Sequence, residues 1–310
     1  MKKRVIAVLL ALFVLLPGFG MTIGAQTLNG ETEYCLHENS EIRLVSPAGL
    51  FSESRYSRVC PDCGMTQTLK KARTSVIEKA FDLIARFFFL ADHHTVSDNF
   101  TITAHTGPGE IPQNSKFSLT YSLAIGADVV EFDLMLNSEG VAVLAHGSPE
   151  EAEMTLDEAF GQVAGYYGVR VNVDVKNINA VDLAQELALR YGIADRIFYT
   201  GVYEENVPYL QEHSPLIPYY INISAPADAE QCELLCERIA GEGAIGLNFN
   251  YNDYSPELAA SARAHGLLLS VYTVNSIKDM RTVLGFDVDN ITTEFPYKLY
   301  TMTNSFSDIC

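Results

Sequence analysis

Six polar side chains in the middle of the chain are of the types that hold a cation and transfer protons. They are His105, Glu131, Asp133, His146, Asp174 and Lys176. Glu131 and Asp133 lie two residues apart, as do Asp174 and Lys176, so each pair would project from one face of a strand. Three carboxylates in an apolar interior need a compensating cation, and ligation by oxygen alone favours Mg²⁺ or Ca²⁺ over zinc. The alternative is a set of internal salt bridges, with both histidines as hydrogen-bonded core residues.

The segments that must position these side chains form a βα repeat from residue 100 onward. The candidate strands are 101–106, 128–136, 141–147, 169–176, 197–202, 217–224, 244–250, 267–274 and 289–293. Capping residues mark the helices between them, and Asn114 marks the first helix after residue 106. With the hairpin described next, the remaining eight strands predict a (β/α)8 barrel, whose functional residues lie at the C-terminal strand ends.

One connection does not fit this alternation. Residues 137–140 are too few for a parallel crossover, so residues 128–147 are predicted to form a β-hairpin at the second strand. A turn centred on Ser138 and Glu139 would place Glu131 opposite His146. The hairpin therefore brings the second histidine to the carboxylates.

Four potential zinc ligands lie ahead of the barrel, in a small segment predicted over residues 26–68. Cys35 and His37 form a Cys-x-His pair, and Cys60 and Cys63 belong to a Cys-Pro-Asp-Cys-Gly turn. Together they would satisfy tetrahedral Zn²⁺. A Cys60–Cys63 disulfide or unpaired thiols are the alternative.

The N-terminus and the overall charge indicate export. Basic residues at positions 2–4 precede an apolar run over 5–16, which predicts a secretory signal over residues 1–25, with an uncleaved anchor as the alternative. The 310-residue chain has a formal net charge of −18, which opposes binding to nucleic acid. We therefore expect a secreted or cell-surface protein, of bacterial type, that does not bind nucleic acid.

A linker, residues 69–99, contains an amphipathic helix predicted over about 75–92. Ser75 and Glu78 form a capping box ahead of apolar residues at helical spacing. The apolar face either docks on the barrel of residues 100–303 or lies on a membrane surface. Lys79 and Arg86 keep the membrane interpretation open.

Seven short motifs within residues 100–300 resemble those of the glycerophosphodiester phosphodiesterase family, of the phospholipase C-like phosphodiesterase superfamily. They are Ala104-His-Thr-Gly107, Pro112-Gln-Asn-Ser115, Gly126-Ala-Asp-Val-Val-Glu-Phe-Asp133, Leu144-Ala-His-Gly147, Asn172-Val-Asp-Val-Lys176, Val271-Tyr-Thr-Val-Asn275 and Ile291-Thr-Thr-Glu-Phe-Pro296. As an ordered set they are specific, although each one alone is weak. The His-Thr-Gly variant resembles one branch of the family found in exported bacterial proteins.

This resemblance implies metal-assisted hydrolysis of glycerophosphodiesters to an alcohol and glycerol 3-phosphate. It implies that the metal ligands are Glu131, Asp133 and Asp174, that the acid–base pair is His105 and His146, and that Lys176 contacts phosphate. Thr106, Asn248, Tyr272 and Glu294 lie near strand ends and are candidates for the substrate pocket. Ordinary strand-end hydrogen bonding is the alternative for the last three.

The chain departs from the family's usual pattern at two positions. Thr106 stands where the family has arginine, and Gln113 stands where it has glutamate. Losing a guanidinium removes a bidentate phosphate clamp, so a catalytically silent barrel that binds phosphodiesters is an alternative function. The short connection over residues 147–154 also resembles the sphingomyelinase D branch of the superfamily, which makes lysophospholipids alternative substrates.

Overall fold

The computed structural model describes residues 27–28, 31–32, 35, 37, 39–88, 94–109 and 111–303, and the predicted signal over 1–25 lies outside them. The strands are β1 (Thr27–Leu28), β2 (Glu31–Thr32), β3 (Glu41–Ser46), β4 (Ser54–Val59), β5 (Thr66–Lys71), β6 (Thr101–Ala104), β7 (Val129–Leu136), β8 (Ala142–Leu144), β9 (Arg170–Val175), β10 (Ile197–Val202), β11 (Tyr219–Asn222), β12 (Gly246–Asn250), β13 (Leu268–Tyr272) and β14 (Asn290–Thr293). The α-helices are α1 (Val76–Phe88), α2 (Lys116–Ala124), α3 (Leu156–Ala164), α4 (Val181–Arg190), α5 (Val207–His213), α6 (Ala229–Gly241), α7 (Pro256–Ala264), α8 (Ile277–Val283) and α9 (Pro296–Thr303). Short 3₁₀ turns span Pro149–Glu151, Ile178–Ala180, Ala194–Arg196, Glu204–Asn206 and Tyr251–Asp253.

In the described part of the chain, eight parallel strands close into a barrel. The strand order is β6, β7, β9, β10, β11, β12, β13 and β14, and β14 pairs with β6 to complete the ring. Helices α2 to α9 follow the strands in turn. The predicted (β/α)8 fold is confirmed.

Alternation along the strands separates the barrel interior from the layer beneath the helices. On β7, Val130, Phe132 and Leu134 belong to the large core cluster shared with the helices, whereas Val129 packs in the interior with Phe198 and Tyr220. Glu131 and Asp133 have the same parity as Val129 and therefore face the interior. The same strand thus supplies both the core and the site.

Some polar side chains of the barrel interior pair with one another and form a satisfied polar layer. The Thr103 hydroxyl donates to Asn290 Oδ1 at 2.8 Å, and the Thr200 hydroxyl donates to Asn172 Oδ1 at 2.8 Å. Since buried polar groups that pair with one another need no other partner, this layer makes no demand for a ligand. Glu131 and Asp174, the register partners of Asn172 and Thr200, are different, because each has a buried oxygen without a partner among the described residues.

The predicted hairpin is present, but its register differs by one residue. Leu134 lies opposite Leu144, and the Asn137 N–H donates to the Val141 carbonyl at 3.1 Å. The turn therefore has three residues rather than two, and Gly140 takes the positive φ of 75° that such a turn requires. Continued along the arm, this register would place Gly147, not His146, opposite Glu131.

An antiparallel sheet of β3, β4 and β5 packs on the floor of the barrel, the end opposite the site. The Lys70 N–H donates to the Gly165 carbonyl at 3.0 Å, and the Tyr167 N–H donates to the Lys70 carbonyl at 2.8 Å. The Tyr56 ring stacks on Tyr167 with centroids 4.6 Å apart. Because residues 165–169 precede β9, these contacts lie at the N-terminal strand ends.

Helix α1 contacts the barrel through a polar side chain and turns apolar residues outward. Its predicted capping box is present, since the Ser75 N–H donates to Glu78 Oε2 at 3.2 Å and the Glu78 N–H donates to Ser75 Oγ at 3.4 Å. Asp82 is buried and accepts a hydrogen bond from the Tyr297 hydroxyl at 3.1 Å. Val76 and Ile84, by contrast, are each 55% exposed. Among the described residues, no helix has the length and hydropathy needed to cross a bilayer.

Candidate active site

The three predicted metal-ligating carboxylates gather at the C-terminal end of the barrel strands. Asp133 on β7 and Asp174 on β9 are register partners, so their side chains leave the sheet at the same height, one step above Glu131. Lys176 Nζ lies 2.7 Å from Asp174 Oδ2 and 3.3 Å from Asp133 Oδ1. The structure therefore brings together four of the residues that the sequence singled out.

One lysine does not satisfy three carboxylates. Glu131 Oε2 and Asp174 Oδ1 are buried and have no hydrogen-bond partner among the described residues. Burial, together with the charges of Asp174 and Asp133, raises the pKa of Glu131 well above its ordinary value. Burial also raises the pKa of Asp174, even though Lys176 acts in the opposite direction.

These unpartnered carboxylate oxygens fit a hard divalent cation. Carboxylate oxygens are the ligands that Mg²⁺ and Ca²⁺ prefer, and a cation beside the two unpartnered oxygens would supply the missing positive charge. The salt-bridge alternative accounts for the contacts of Lys176. It leaves Glu131 Oε2 and Asp174 Oδ1 unexplained.

Asn114 fixes the orientation of Asp133. Its Nδ2 donates to Asp133 Oδ2 at 2.7 Å, and its Oδ1 accepts from the Asp133 N–H at 2.9 Å. The helix cap itself is Ser115, so Asn114 does not begin α2 as the sequence interpretation had it. Asn114 instead takes a positive φ of 55°, which turns its amide back toward β7. Its place in the Pro112-Gln-Asn-Ser115 motif was the signal that could have identified it.

We expect Asn114→Gly to weaken cation binding about 10- to 100-fold, the usual effect of removing a group that orients a metal ligand. Glycine tolerates the positive φ and removes only the amide. The measurement is the Mg²⁺ or Ca²⁺ concentration that gives half-maximal turnover. An unchanged cation requirement in a folded variant would show that Asp133 needs no such support.

His105 follows β6 and faces the carboxylates from the first strand of the barrel. Its Nδ1 is buried with no partner in the described residues, and the charges of Asp133, Glu294 and Asp174 all act on the ring. Burial lowers the pKa of His105 and outweighs the opposing effect of these carboxylates. The imidazole is therefore neutral near pH 7 and can accept a proton.

His146 lies immediately beyond β8 and is exposed, unlike half-buried His105. The preceding residue, Ala145, donates its N–H to the Asp133 carbonyl at 3.1 Å. This bond holds the return arm beside the strand that carries two of the carboxylates. The His146 backbone thus lies at the rim of the site, with its ring open to solvent.

Strand β10 makes room for Asp174 at Gly201. A Cβ at this position would lie 2.2 Å from Asp174 Oδ1, so no larger residue fits without displacing the carboxylate. A bulge marks the same place, because Tyr199 pairs with Tyr219 while Val202 pairs with Ile221. No sequence motif marked Gly201.

The four candidate pocket residues differ in their surroundings. Thr106 is 2% exposed, and its Oγ1 has no partner among the described residues. Asn248 Nδ2 donates to Asn222 Oδ1 at 2.9 Å, a strand-end bond of the kind anticipated. Tyr272 is half-buried, and the charge of Asp174 acts on it, as the charge of Glu294 acts on His105. Tyr272 and Glu294 therefore lie near the carboxylates and His105 respectively, whereas Thr106 contributes a buried hydroxyl group without a partner in the described chain.

A second ligand cluster lies in the N-terminal sheet region. Cys35, His37, Cys60 and Cys63 each offer one ligand atom, and these atoms all lie within 4.8 Å of one another. The three cysteines are free thiols rather than a disulfide. This group could hold a metal ion.

Comparisons with known proteins concern the barrel. Residues 166–298 match the model of the Glycerophosphoryl diester phosphodiesterase family. A curated relative, a glycerophosphodiester phosphodiesterase of Bacillus subtilis (strain 168), is 23% identical over 249 residues, covering 64% of this chain and 85% of the relative.

Solved structures show the same fold. A glycerophosphodiester phosphodiesterase from Parabacteroides distasonis ATCC 8503 aligns with a TM-score of 0.55 at 19% identity, covering 66% of this chain and 97% of that one. An Oleispira antarctica phosphodiesterase, solved in complex with the product sn-glycerol-3-phosphate, aligns with a TM-score of 0.52 at 19% identity, covering 65% of this chain and 96% of that one. The family resemblance predicted from the motifs is confirmed.

Proposed function

We propose that this barrel, which matches the model of the glycerophosphodiester phosphodiesterase family over residues 166–298, hydrolyses glycerophosphodiesters to an alcohol and glycerol 3-phosphate. The protein is a phosphoric diester hydrolase. The observation that carries the proposal is the pair of buried, unpartnered carboxylate oxygens on Glu131 and Asp174, beside the neutral ring of His105. A cation-binding group and a proton acceptor in one cleft are the two requirements of this reaction.

Glu131, Asp133 and Asp174 would hold the divalent cation, and Mg²⁺ and Ca²⁺ are the ions that suit three carboxylates. When bound, the ion would neutralise charge on the non-bridging phosphate oxygens. Asn114 keeps Asp133 oriented for this task. Lys176 adds a fixed positive charge beside Asp133 and Asp174, within reach of an anionic phosphate at the same mouth.

The two histidines divide the proton transfers. His105 is neutral and removes the proton from the attacking hydroxyl, either water or the neighbouring hydroxyl of the glycerol moiety. Attack by that neighbouring hydroxyl would give a cyclic phosphate first. His146, exposed at the rim, donates a proton to the oxygen of the departing alcohol.

Thr106 supplies a neutral hydrogen-bond donor at the position where the family has a charged arginine. Its hydroxyl is buried and unpartnered within the described chain, so it is free to donate to a phosphate oxygen. A single hydroxyl cannot replace a bidentate guanidinium. Substrate charge is therefore balanced by Lys176 and the cation, and the rate should depend strongly on cation concentration.

The test is turnover of glycerophosphocholine by the purified protein, with and without EDTA. The products glycerol 3-phosphate and choline should appear, and EDTA should stop their release. Adding Mg²⁺ or Ca²⁺, with no zinc added, should restore the release of both products. No turnover of any phosphodiester, with the cation still bound, would favour the silent binding barrel.

Lysophospholipids are a second candidate substrate because the mouth lacks a long covering segment beside His146. Between β8 and α3 the chain forms only the 3₁₀ turn Pro149–Glu151, and residues 146–148 are exposed. A lipid headgroup could therefore approach the rim. Assayed in parallel, lysophosphatidylcholine should be cleaved more slowly than glycerophosphocholine if the proposed function is right, and faster if the lipid is the substrate.

Contact with a lipid surface through α1 accompanies this function in our proposal, as does export through the segment 1–25. Exposed apolar side chains on α1 include Val76, Phe81, Leu83 and Ile84, next to exposed Lys79. Because the net charge of −18 would be repelled by anionic lipid, we propose electrically neutral phosphatidylcholine as the lipid surface.

We expect the protein to sediment with phosphatidylcholine vesicles and Ile84→Glu to weaken this binding. Keeping one isoleucine out of the bilayer costs about 2 kcal/mol, or roughly 30-fold in partitioning. Leu234→Glu on α6 is the control, because Leu234 is also 55% exposed but lies on another helix. Equal vesicle binding by the two variants would show that α1 does not contact the lipid surface.

A further inference from the structure

The distances within the N-terminal Cys/His cluster are those of a tetrahedral zinc site. Cys35 Sγ and Cys60 Sγ lie 3.6 Å apart, and Cys63 Sγ lies 3.4 Å from His37 Nδ1. Zinc bonds of about 2.3 Å to sulfur and about 2.0 Å to nitrogen give tetrahedral edges of about 3.8 Å between sulfurs and about 3.5 Å between sulfur and nitrogen. A disulfide would need about 2.05 Å between two sulfurs.

The backbone around the cluster holds the ligands in place. The Gly64 N–H donates to the Cys60 carbonyl at 2.9 Å and the Cys60 N–H donates to the Met65 carbonyl at 3.0 Å, which closes the turn containing Cys60 and Cys63. His37 has a positive φ of 57°, and its N–H lies 3.4 Å from Cys35 Sγ. Both ligand pairs thus sit on tight turns, as in known zinc knuckles.

The imidazole of His37 is also the point where this cluster meets the barrel. If Gly192 carried a Cβ, that atom would lie 2.8 Å from His37 Cδ2 and 3.2 Å from His37 Nε2. The backbone of Leu189, in the last turn of α4, lies near enough to raise the pKa of the same ring, against the larger effect of burial. One nitrogen of the ring therefore faces the cluster and the other faces the barrel, the usual arrangement for a zinc-binding histidine.

Neighbouring side chains of the N-terminal sheet bind the same helix end. The Arg58 guanidinium donates to the Gly192 carbonyl, and Gln67 Nε2 donates to the Tyr191 carbonyl at 2.9 Å. These carbonyls terminate α4 and have lost their intrahelical partners. The contact lies on the barrel floor, away from Glu131 and Asp174.

From this geometry we propose that Cys35, His37, Cys60 and Cys63 bind a structural Zn²⁺ that fastens the N-terminal sheet to the end of α4 on the barrel floor. The ion stabilises the folded chain and takes no part in turnover, because the cluster lies at the end of the barrel opposite the carboxylates. Its retention depends on Gly192, a barrel residue that ligates nothing.

Zinc content and thiol counting test the site itself. The purified protein should contain one zinc ion per chain, and its thiols at 35, 60 and 63 should become reactive only after zinc is removed. Cys60→Ser should lose the zinc and unfold at a lower temperature, with turnover per folded molecule unchanged. Cys232→Ser, at a buried cysteine of α6, should keep the zinc.

The attachment to the barrel is tested by the rate at which zinc passes to the dye 4-(2-pyridylazo)resorcinol. Gly192→Ala should release zinc about tenfold faster, because the new methyl group displaces His37. Gly168→Ala is the matched control: Gly168 also has a positive φ, 79°, but nothing lies within 4 Å of its Cβ position.

Any of the following results would overturn the proposal. They are equal zinc release from the Gly192 and Gly168 variants, a Cys60–Cys63 disulfide in the alkylated unfolded protein, and a failure of the protein to bind added Zn²⁺. If Cys60→Ser does not fold, the wild-type protein stripped by the dye provides the same comparison of melting temperature with and without zinc. An unchanged melting temperature after stripping would also contradict a structural role.

Discussion

Replacing His105 with alanine is expected to lower kcat about 100- to 10,000-fold, the range associated with losing a positioned general base. The imidazole is half-buried, faces Asp133 and Asp174, and has an unpartnered Nδ1 within the described residues. Burial lowers the pKa of His105, so the neutral form persists below the usual histidine midpoint of about 6.5. The rate of the wild-type protein should therefore fall on the acid side only below that pH.

The variant should fold normally, because the alanine removes a side chain from an open mouth rather than from the core. Its residual rate should lack the acid limb, which a merely structural role would leave in place. His265→Ala is the control, since His265 pairs with Glu233 at 2.8 Å on the surface. A His105→Ala protein with a near-normal rate would disprove the proposed base.

Replacing Glu131 with glutamine is expected to lower the activity and, in the absence of the cation, to raise the stability of the fold. The variant should lose turnover about 100-fold or more, because it lacks a charged ligand for the cation that stabilises the transition state. Without the cation, however, the same change should stabilise the fold. Glu131 Oε2 is buried without a partner in the described chain, and Asp133 and Asp174 repel its charge.

The pH dependence follows from the direction of the pKa shift. The pKa of Glu131 is raised in the folded protein, so between the ordinary carboxyl value of about 4.5 and the raised value the folded state holds a proton that the unfolded state releases. Stability in EDTA should therefore decline as the pH rises above about 5. Glutamine removes this contribution.

Melting temperatures with EDTA and with Mg²⁺ or Ca²⁺, from pH 5 to pH 8, check the prediction. In EDTA at pH 8 the variant should melt above the wild type, by about 2–4 °C for each kcal/mol of relieved repulsion. Added cation should raise the melting temperature of the wild type and not of the variant. The control is Glu233→Gln, at an exposed carboxylate. Equal stabilisation of both proteins by the cation would exclude Glu131 as a ligand.

Strand periodicity was sufficient to predict that the three carboxylates would lie together. Glu131, Asp133 and Asp174 share a side of their strands by counting residues alone, and the barrel then brings those strands together. Asn114 could not be assigned in this way. Its role depends on a left-handed backbone conformation at a single residue, and hydrophobic patterning contains no signal for that.

Two other differences have local physical causes. The hairpin register shifted because Gly140 makes a three-residue turn as accessible as a two-residue one. Strands β3 to β5 went unpredicted because they are rich in charged and polar residues and β3 is exposed along its length, so the alternation that indicates a half-buried strand is weak. Helix α1 was predicted from its periodicity, but periodicity does not say which face the barrel covers.

The hairpin gives the two histidines different mechanical surroundings. His105 continues a strand with hydrogen-bonded neighbour strands on both sides. Within the described chain, His146 follows a three-residue arm that pairs with β7 on one side and has only an isolated bridge, between Val143 and Thr155, on the other. Breathing of that edge arm can carry the His146 ring outward without opening the closed ring of strands. Movement of this arm would then control the release of the product alcohol, while His105, the proton acceptor, stays fixed in the barrel wall.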